Sequence, residues 1–417
     1  MVYVTGLGVV SSIGNGVIEY TQSLKKGISG IKSAHRIARY SKIPCVAEIP
    51  DFSFQDLLKS YSHHSEITKR ALVAGQRASL AMQASILSVL EAWDSACFTT
   101  TFSIPTERIG LIVAGHNLTN NLAFDCHNRH RNAPEYINPR YAMQFMDSDY
   151  LGTISEIFDI HGQGFTVGGA SASGNVALVK GYESIKAGYL DTCILVAPPA
   201  NLGPLELQAF YNLGAMGGKR FKSSPEKACR PFDQAHEGFI YGEGCGCLIL
   251  ESEVVTKLRG IHPQAVMLGG AIYLDGNRLS DPSENGEIKA MQLALKDAKK
   301  KSEDIEYINA HGTSSPLGDE TEIKAIKAVY GNGAKNIWIN ATKGLIGHCL
   351  YSAGVMEAIT TIVQMREGFL HPNKNLDNPI DSECKFCGKK EEKVSISTAM
   401  NNSFGFGGIS TSIILKI

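Results

Sequence analysis

The run Thr166-Val-Gly-Gly-Ala-Ser171-Ala-Ser-Gly-Asn has the pattern of a buried strand entering a tight small-residue elbow, with a helix starting near Gly174. Such an elbow suits a nucleophile, and the residue at the place most fitted for a reactive cysteine is Ser171. A thiol is partly ionised near neutral pH and its pKa falls further at a helix N-terminus. A serine hydroxyl holds its proton far more tightly and needs a positioned general base. The run misses the Gly-x-Ser-x-Gly hydrolase elbow at its last position, Ser173, and no acid stands out that would orient a triad histidine. Two histidine motifs lie further along, His311-Gly-Thr-Ser-Ser-Pro and Lys343-Gly-Leu-Ile-Gly-His348, and the chain closes on Asn402-Ser-Phe404-Gly-Phe-Gly-Gly408. Two histidines retained where the thiol is missing suggest that only part of such a site's chemistry remains.

The elements that must position these residues alternate between short apolar strands and amphipathic helices, the pattern of an α/β fold with a parallel or mixed sheet. Strands are expected at 108–114 and 192–197, with a helix over 176–188 between the elbow and the second of them. In the second half, 305–310 leads to His311, 336–341 leads to Lys343 and His348, and 394–399 leads to the glycine-aromatic run. Each motif is thus expected just beyond the carboxyl end of a strand, where open α/β sheets carry their sites. Helices are expected over 319–329 and 352–365, the latter apolar on most sides and therefore buried. A boundary between two halves falls near 251–264, giving 1–255 with the Ser171 elbow and 256–417 with His311, Lys343, His348 and Phe404.

The 417 residues, 43% of them hydrophobic, suffice for a large core in two halves. A net charge of −1 with scattered basic residues gives no nucleic-acid footprint and no polybasic membrane patch. No apolar run approaches the roughly 20 residues of a transmembrane helix, and the strand-like start Met-Val-Tyr-Val reads as structure rather than a leader, so a cytoplasmic protein is expected. The ten cysteines are dispersed without a disulfide framework. Cys384-Lys-Phe-Cys387 has metal-like spacing but no second ligand pair, and reads as a loop rather than a zinc or redox site. The glycines from Gly405 to Gly408 lack the lysine and spacing of a phosphate loop.

Taken together, these motifs resemble the β-ketoacyl-ACP synthases of the thiolase superfamily. The resemblance rests also on the opening Val-Thr-Gly-Leu-Gly-Val-Val-Ser-Ser-Ile-Gly, on Ala228-Cys-Arg-Pro-Phe-Asp233 and on Gly238-Phe-Ile-Tyr-Gly-Glu-Gly244. It implies a thiolase fold, two similar halves in a five-layered α-β-α-β-α arrangement, and a homodimer. In the family pattern the elbow cysteine accepts an acyl chain, so Ser171 implies that acyl loading is impaired. The resemblance places the histidine pair at His311 and His348, the lysine at Lys343 and its acidic partners at Glu322 and Glu357. The pocket and oxyanion positions fall to Phe404, Gly405, Phe406 and Thr313. A subgroup with serine for cysteine and both histidines retained comprises the malonyl-ACP decarboxylases of polyketide β-branching cassettes. Similarity to it implies a malonyl-loaded acyl carrier protein as partner and an HMG-CoA-synthase-like enzyme as functional neighbour. It also implies no bound cofactor or metal beyond the carrier's phosphopantetheine arm. An acyltransferase or weak condensing enzyme working through an acyl-Ser171, and a non-catalytic partner subunit, remain as alternatives. The chain departs from the family pattern at 114–121, at 131–147 and at Ile409.

Overall fold

A computed structural model describes residues 1–37, 42–98 and 104–417. Its backbone is built on ten principal strands: β1 (Val2–Ser11), β2 (Ile109–Ala114), β3 (Gly164–Val167), β4 (Thr192–Ala197), β5 (Gly244–Ser252), β6 (Ala265–Leu274), β7 (Tyr307–Asn309), β8 (Trp338–Asn340), β9 (Thr398–Gly405) and β10 (Ile409–Lys416). The first five pair in the order β1-β5-β4-β2-β3 and the last five in the order β6-β10-β9-β7-β8. The two orders are the same permutation of strands along the chain, so the fold is a structural duplication. The halves meet where β1 pairs antiparallel with β6, Val2 opposite Met267 and Val4 opposite Ala265.

Period-two alternation assigns each side chain to a layer. On β4, Cys193, Leu195 and Ala197 join the core between the two half-sheets, while Ile194 and Val196 face the outer side. Five helices fill the layers around the sheets: α1 (Leu80–Ser95), α2 (Ser173–Lys186), α3 (Glu284–Asp297), α4 (Pro316–Tyr330) and α5 (Ala353–Glu367). Helices α2 and α5 lie in the central core, with Ala177, Leu178, Val355, Met356 and Ile359 packed together. Helix α1 covers the first half-sheet with Ile86 and Leu90, and α3 and α4 cover the second with Met291, Ile323 and Ile326. This is the expected α-β-α-β-α layering of the thiolase fold.

Glycine sets the crossing of the two central helices. A Cβ on Gly174 would lie 2.6 Å from the Val355 nitrogen, and one on Gly354 would lie 2.7 Å from the Asn175 nitrogen. The N-terminal turns of α2 and α5 touch through these bare backbones, which brings the segments preceding them, and so Ser171 and His348, to one place.

One expected strand differs from the structure. Residues 394–397 lie outside the sheet, and β9 begins at Thr398, so Asn402–Gly405 is inside the strand rather than beyond it. The physical reason is the hairpin, in which β9 pairs with β10 from Thr398↔Lys416 to Gly405↔Ile409 and turns at Gly407 and Gly408 with φ of 86° and 75°. At its N-terminal end the Ser397 and Thr398 N–H groups donate to the Glu306 carboxylate. Cys384 packs into the core under α3 and α4, Cys387 packs with Tyr307 and Met365, and Lys385–Phe386 between them forms a short edge strand on β8. Among the described residues no helix is long and apolar enough to cross a membrane.

Candidate active site

Three loops converge at the carboxyl ends of β3, β7 and β8, and each carries a non-glycine residue in the left-handed region beside its functional side chain. These are Ala170 (φ 47°) before Ser171, Ser314 (φ 68°) after His311, and Leu350 (φ 51°) after His348. Such conformations cost about 1–3 kcal/mol each and persist only where surrounding structure enforces them. The elbow is enforced by Ser173, whose Oγ accepts from the Gly169 N–H at 2.9 Å and donates to the Ala170 carbonyl at 2.7 Å. The Ser403 hydroxyl donates to the Ser171 carbonyl at 3.0 Å.

The His311 loop is clamped from below. Glu322 on α4 accepts the His311 N–H at 2.8 Å and the Gly312 N–H at 2.7 Å, with the Asn402 amide 3.3 Å from the same carboxylate. Asp319, one turn earlier, accepts from Ser314 and Phe232, and the Arg230 N–H donates to the Ser314 hydroxyl. The Gly238 N–H donates to the Ser314 carbonyl. Both mid-chain motifs thus hold this loop.

Lys343 opens a short helical turn after β8 and is 1% exposed. Its ammonium pairs with Glu357 of α5, donates to the His311 carbonyl at 2.5 Å and lies 3.3 Å from His311 Nδ1. An ammonium has no lone pair to offer, so Nδ1 of His311 is the acceptor and the neutral ring carries its proton on Nε2. His348 is fixed the same way from a different source, since the Leu350 N–H reaches its Nδ1 at 3.2 Å. Its Nε2–H therefore points at Ser171 Oγ, 2.9 Å away. Burial, and then the Lys343 charge, hold both imidazoles well below the usual histidine range, with His348 adding to the effect on His311. Both rings are neutral N–H donors. Their centroids are 5.4 Å apart with planes at 84°.

Burial pushes the Glu322 and Glu357 carboxyls up to about 7. Backbone N–H groups act against this at Glu322, and Lys343 acts against it at Glu357.

A cleft of about 430 Å³ opens onto Ser171, His311, His348, Thr313, Phe404, Gly405 and Phe406 together. Phe404 stands edge-on to His311 at 5.5 Å, and Thr313 Oγ1 is 2.8 Å from Ser315 Oγ. A Cβ on Gly405 would strike the Gly169 carbonyl at 2.6 Å, so this glycine lets the β9 backbone lie against the elbow. Phe406, 40% exposed, is 6.2 Å from Phe210. Lys343, Glu322 and Glu357 sit behind the wall and reach the cleft only through His311 and its loop. The structure thus brings every expected site residue to one place. It adds His116, Phe210, Phe239, Glu287 and Tyr351 to the lining. Of these only His116 lay in a segment the sequence marked as unusual.

The arrangement offers two neutral donors aimed into an apolar-walled cleft and a hydroxyl that accepts from one of them. It can stabilise negative charge on an oxygen placed between the rings. It does not present a base to Ser171.

Comparisons with known proteins show the family of the chain. Residues 1–255 match the beta-ketoacyl synthase N-terminal domain, and residues 264–377 match the beta-ketoacyl synthase C-terminal domain. The chain is 40% identical over 416 residues to the polyketide biosynthesis malonyl-ACP decarboxylase PksF of Bacillus subtilis (strain 168), covering all of this chain and 96% of that protein. It is 33% identical to the chloroplastic 3-oxoacyl-[acyl-carrier-protein] synthase I of Arabidopsis thaliana, covering 98% of this chain and 84% of that one. Among solved structures, the ishigamide ketosynthase/chain length factor superposes with a TM-score of 0.85 at 27% identity, covering 100% of this chain and 98% of that one. A type II ketosynthase in complex with its acyl-carrier protein, AntDE:AntF, gives 0.84 at 27% identity with the same coverage.

Proposed function

We propose that this chain, which belongs to the beta-ketoacyl synthase family, decarboxylates a malonyl group carried on an acyl carrier protein and releases acetyl-carrier and CO₂. The observation that carries the reading is the pair of neutral imidazoles whose Nδ1 atoms are both occupied by donors. Each ring is thereby left with an Nε2–H facing the cleft. When a malonyl thioester loses CO₂, the electron pair of the breaking bond passes to an enolate whose charge gathers on the thioester oxygen. Donors aimed at that oxygen are worth more as charge develops than before it, so they accelerate the step. Removing one such donor costs about 3–4 kcal/mol of transition-state stabilisation.

Ser171 limits the reaction to this half. Its hydroxyl accepts from His348, which already carries its proton on Nε2 and so cannot take another from the serine while remaining neutral. Without an acyl group on residue 171 the enolate meets no electrophile, and protonation gives acetyl. An acyltransferase or weak condensing enzyme using acyl-Ser171 is the second reading, and the 2.9 Å contact between Ser171 and His348 favours it. The tautomer of His348 argues against it.

Similarity to PksF supports a role in polyketide biosynthesis. A β-branching cassette, with an HMG-CoA-synthase-like enzyme as functional neighbour, belongs to the same proposal. The carrier's phosphopantetheine arm serves as tether, and side chains of this chain supply the rest of the chemistry. A homodimer is part of the same proposal. Its support is the apolar exposure of Tyr136, Met143, Phe145 and Met146 on one segment.

Incubation with malonyl-carrier, followed by the mass of the pantetheine-bound species, tests the reading. Acetyl-carrier without a covalent protein adduct supports it, an acyl-Ser171 adduct supports the second reading, and no turnover leaves a non-catalytic partner. Ser171→Ala should retain most of the decarboxylation, because it removes only the acceptor on His348. His311→Ala and His348→Ala should each lose it by about 10²–10³-fold.

A further inference from the structure

Decarboxylation as proposed leaves one proton without a source. The enolate carbon must be protonated to become acetyl, and either imidazole that gave up its Nε2–H would stop stabilising the oxygen. Ser171 accepts from His348, and giving up its own proton would leave an alkoxide, a costly charge in a half-buried site.

Glu287, in the first turns of α3, lines the same cleft as Ser171, His311, His348 and Phe404. It is 2% exposed, and its Oε2 is buried without a hydrogen-bond partner. One helical turn further, Met291 Sδ touches the Asn402 amide at 3.6 Å, and that amide also reaches Glu322. Helix α3 therefore packs on β6, β10 and α4, with Met291 reaching the Asn402 amide on β9. Three other acids act on Glu287 through their charge. Glu322 and Asp319 on α4 have their oxygens committed to backbone N–H groups and, for Asp319, to His236, while Glu284 is exposed at the start of α3. Burial first, then the charges of Glu322, Glu284 and Asp319, push the Glu287 carboxyl well above the usual range. A buried carboxyl with an uncommitted oxygen is costly and calls for an explanation, and of the two such carboxyls, Glu287 and Glu357, Glu287 is the one that lines the cleft.

Resting on the decarboxylase reading above, we infer that Glu287 is the acid that protonates the enolate carbon. The bond to the carboxylate breaks, its electron pair remains on the enolate, and CO₂ departs. The enolate carbon then takes the proton of the Glu287 carboxyl, and the Glu287 carboxylate regains one from water entering the cleft. The sum is malonyl thioester plus one proton giving acetyl thioester plus CO₂.

Glu287→Gln keeps shape and hydrogen-bonding capacity while removing the transferable proton. Full-length wild type, Glu287→Gln and Glu287→Ala are compared on malonyl-carrier with ¹³C-labelled CO₂ in the buffer. Acetyl-carrier, label in recovered malonyl-carrier and the thermal unfolding midpoint are measured. The expected result is acetyl formation slowed by at least about 100-fold in Glu287→Gln, with an unlowered midpoint. Label should enter its malonyl-carrier, because an unprotonated enolate persists long enough to recapture CO₂. Added formate should restore turnover to Glu287→Ala. Acetyl formation by Glu287→Gln at the wild-type rate would overturn the inference, as would slow turnover without label exchange and without formate rescue. If wild type itself forms no acetyl-carrier, the decarboxylase reading fails first and this role fails with it. Normal wild-type turnover with an unaffected Glu287→Gln overturns this role alone.

Discussion

Replacing Lys343 with methionine separates the two things the ammonium does. It removes the donor 3.3 Å from His311 Nδ1 and the donor 2.5 Å from the His311 carbonyl, and it strips Glu357 of its buried counter-charge. Breaking a buried pair from one side costs about 3–5 kcal/mol. Glu357 sits at about 7 even with Lys343 present, so near neutral pH it takes up a proton instead of remaining charged, and the lower end of that range is expected. For activity, the lost donor frees His311 to place its proton on either nitrogen. Losing the Nε2–H donor is worth about 3–4 kcal/mol, or roughly 10²–10³ in rate. Pairing Lys343→Met with Glu357→Gln isolates the second effect. The double variant removes the stranded carboxylate and should regain most of the urea-unfolding stability while staying about 10²-fold slow in acetyl-carrier formation, with the loss in kcat rather than KM. Recovery of activity together with stability would refute the reasoning, since it would mean that Lys343 acts only by holding the fold. Wild-type activity in the single variant would refute it equally.

Other consequences follow from the same geometry. Ser171→Cys places a thiol just before α2, where the hydroxyl now lies 2.9 Å from His348 Nε2, and should be alkylated by iodoacetamide much faster than the exposed Cys97; peptide mapping showing equal rates would count against the local field assigned to the elbow. Gly354→Ala should cost about 1–3 kcal/mol in urea unfolding, because its Cβ would meet the Asn175 nitrogen at 2.7 Å, and an unchanged midpoint would show that the helix crossing can relax. His371 is buried, donates to the Pro372 carbonyl and contacts Thr342, and burial lowers its pKa from 6.5 to about 4. With the folded pKa depressed, its contribution is present above pH 6.5 and is lost as pH falls toward 4. The stability advantage of wild type over His371→Gln should shrink by up to about 3 kcal/mol across that window, and a pH-independent difference would contradict the assignment.

The chain announced its strands through short apolar runs and its site through small-residue and histidine motifs, because burial and tight turns restrict residue type locally. Strand β4 over Thr192–Ala197 and helix α5 over Ala353–Glu367 were legible for that reason. The start of β9 was not: Val394-Ser-Ile-Ser alternates as a strand should, yet the hairpin partner β10 and the Glu306 carboxylate decide where pairing begins. Glu287 was also illegible. An acid in the first turns of a helix after Ser283 reads as a capping charge on a solvated face, and only the packing of α3 against the second half-sheet turns it into the cleft.

Residue types alone fixed that position 171 carries a hydroxyl and that two imidazoles accompany it. Whether those imidazoles act as bases or as donors was beyond the sequence, because a histidine tautomer is set by what reaches Nδ1. The Leu350 N–H sits two residues from His348, but the Lys343 ammonium reaches His311 from a separate loop. Long-range packing placed it there, and with it the direction of the His311 Nε2–H bond.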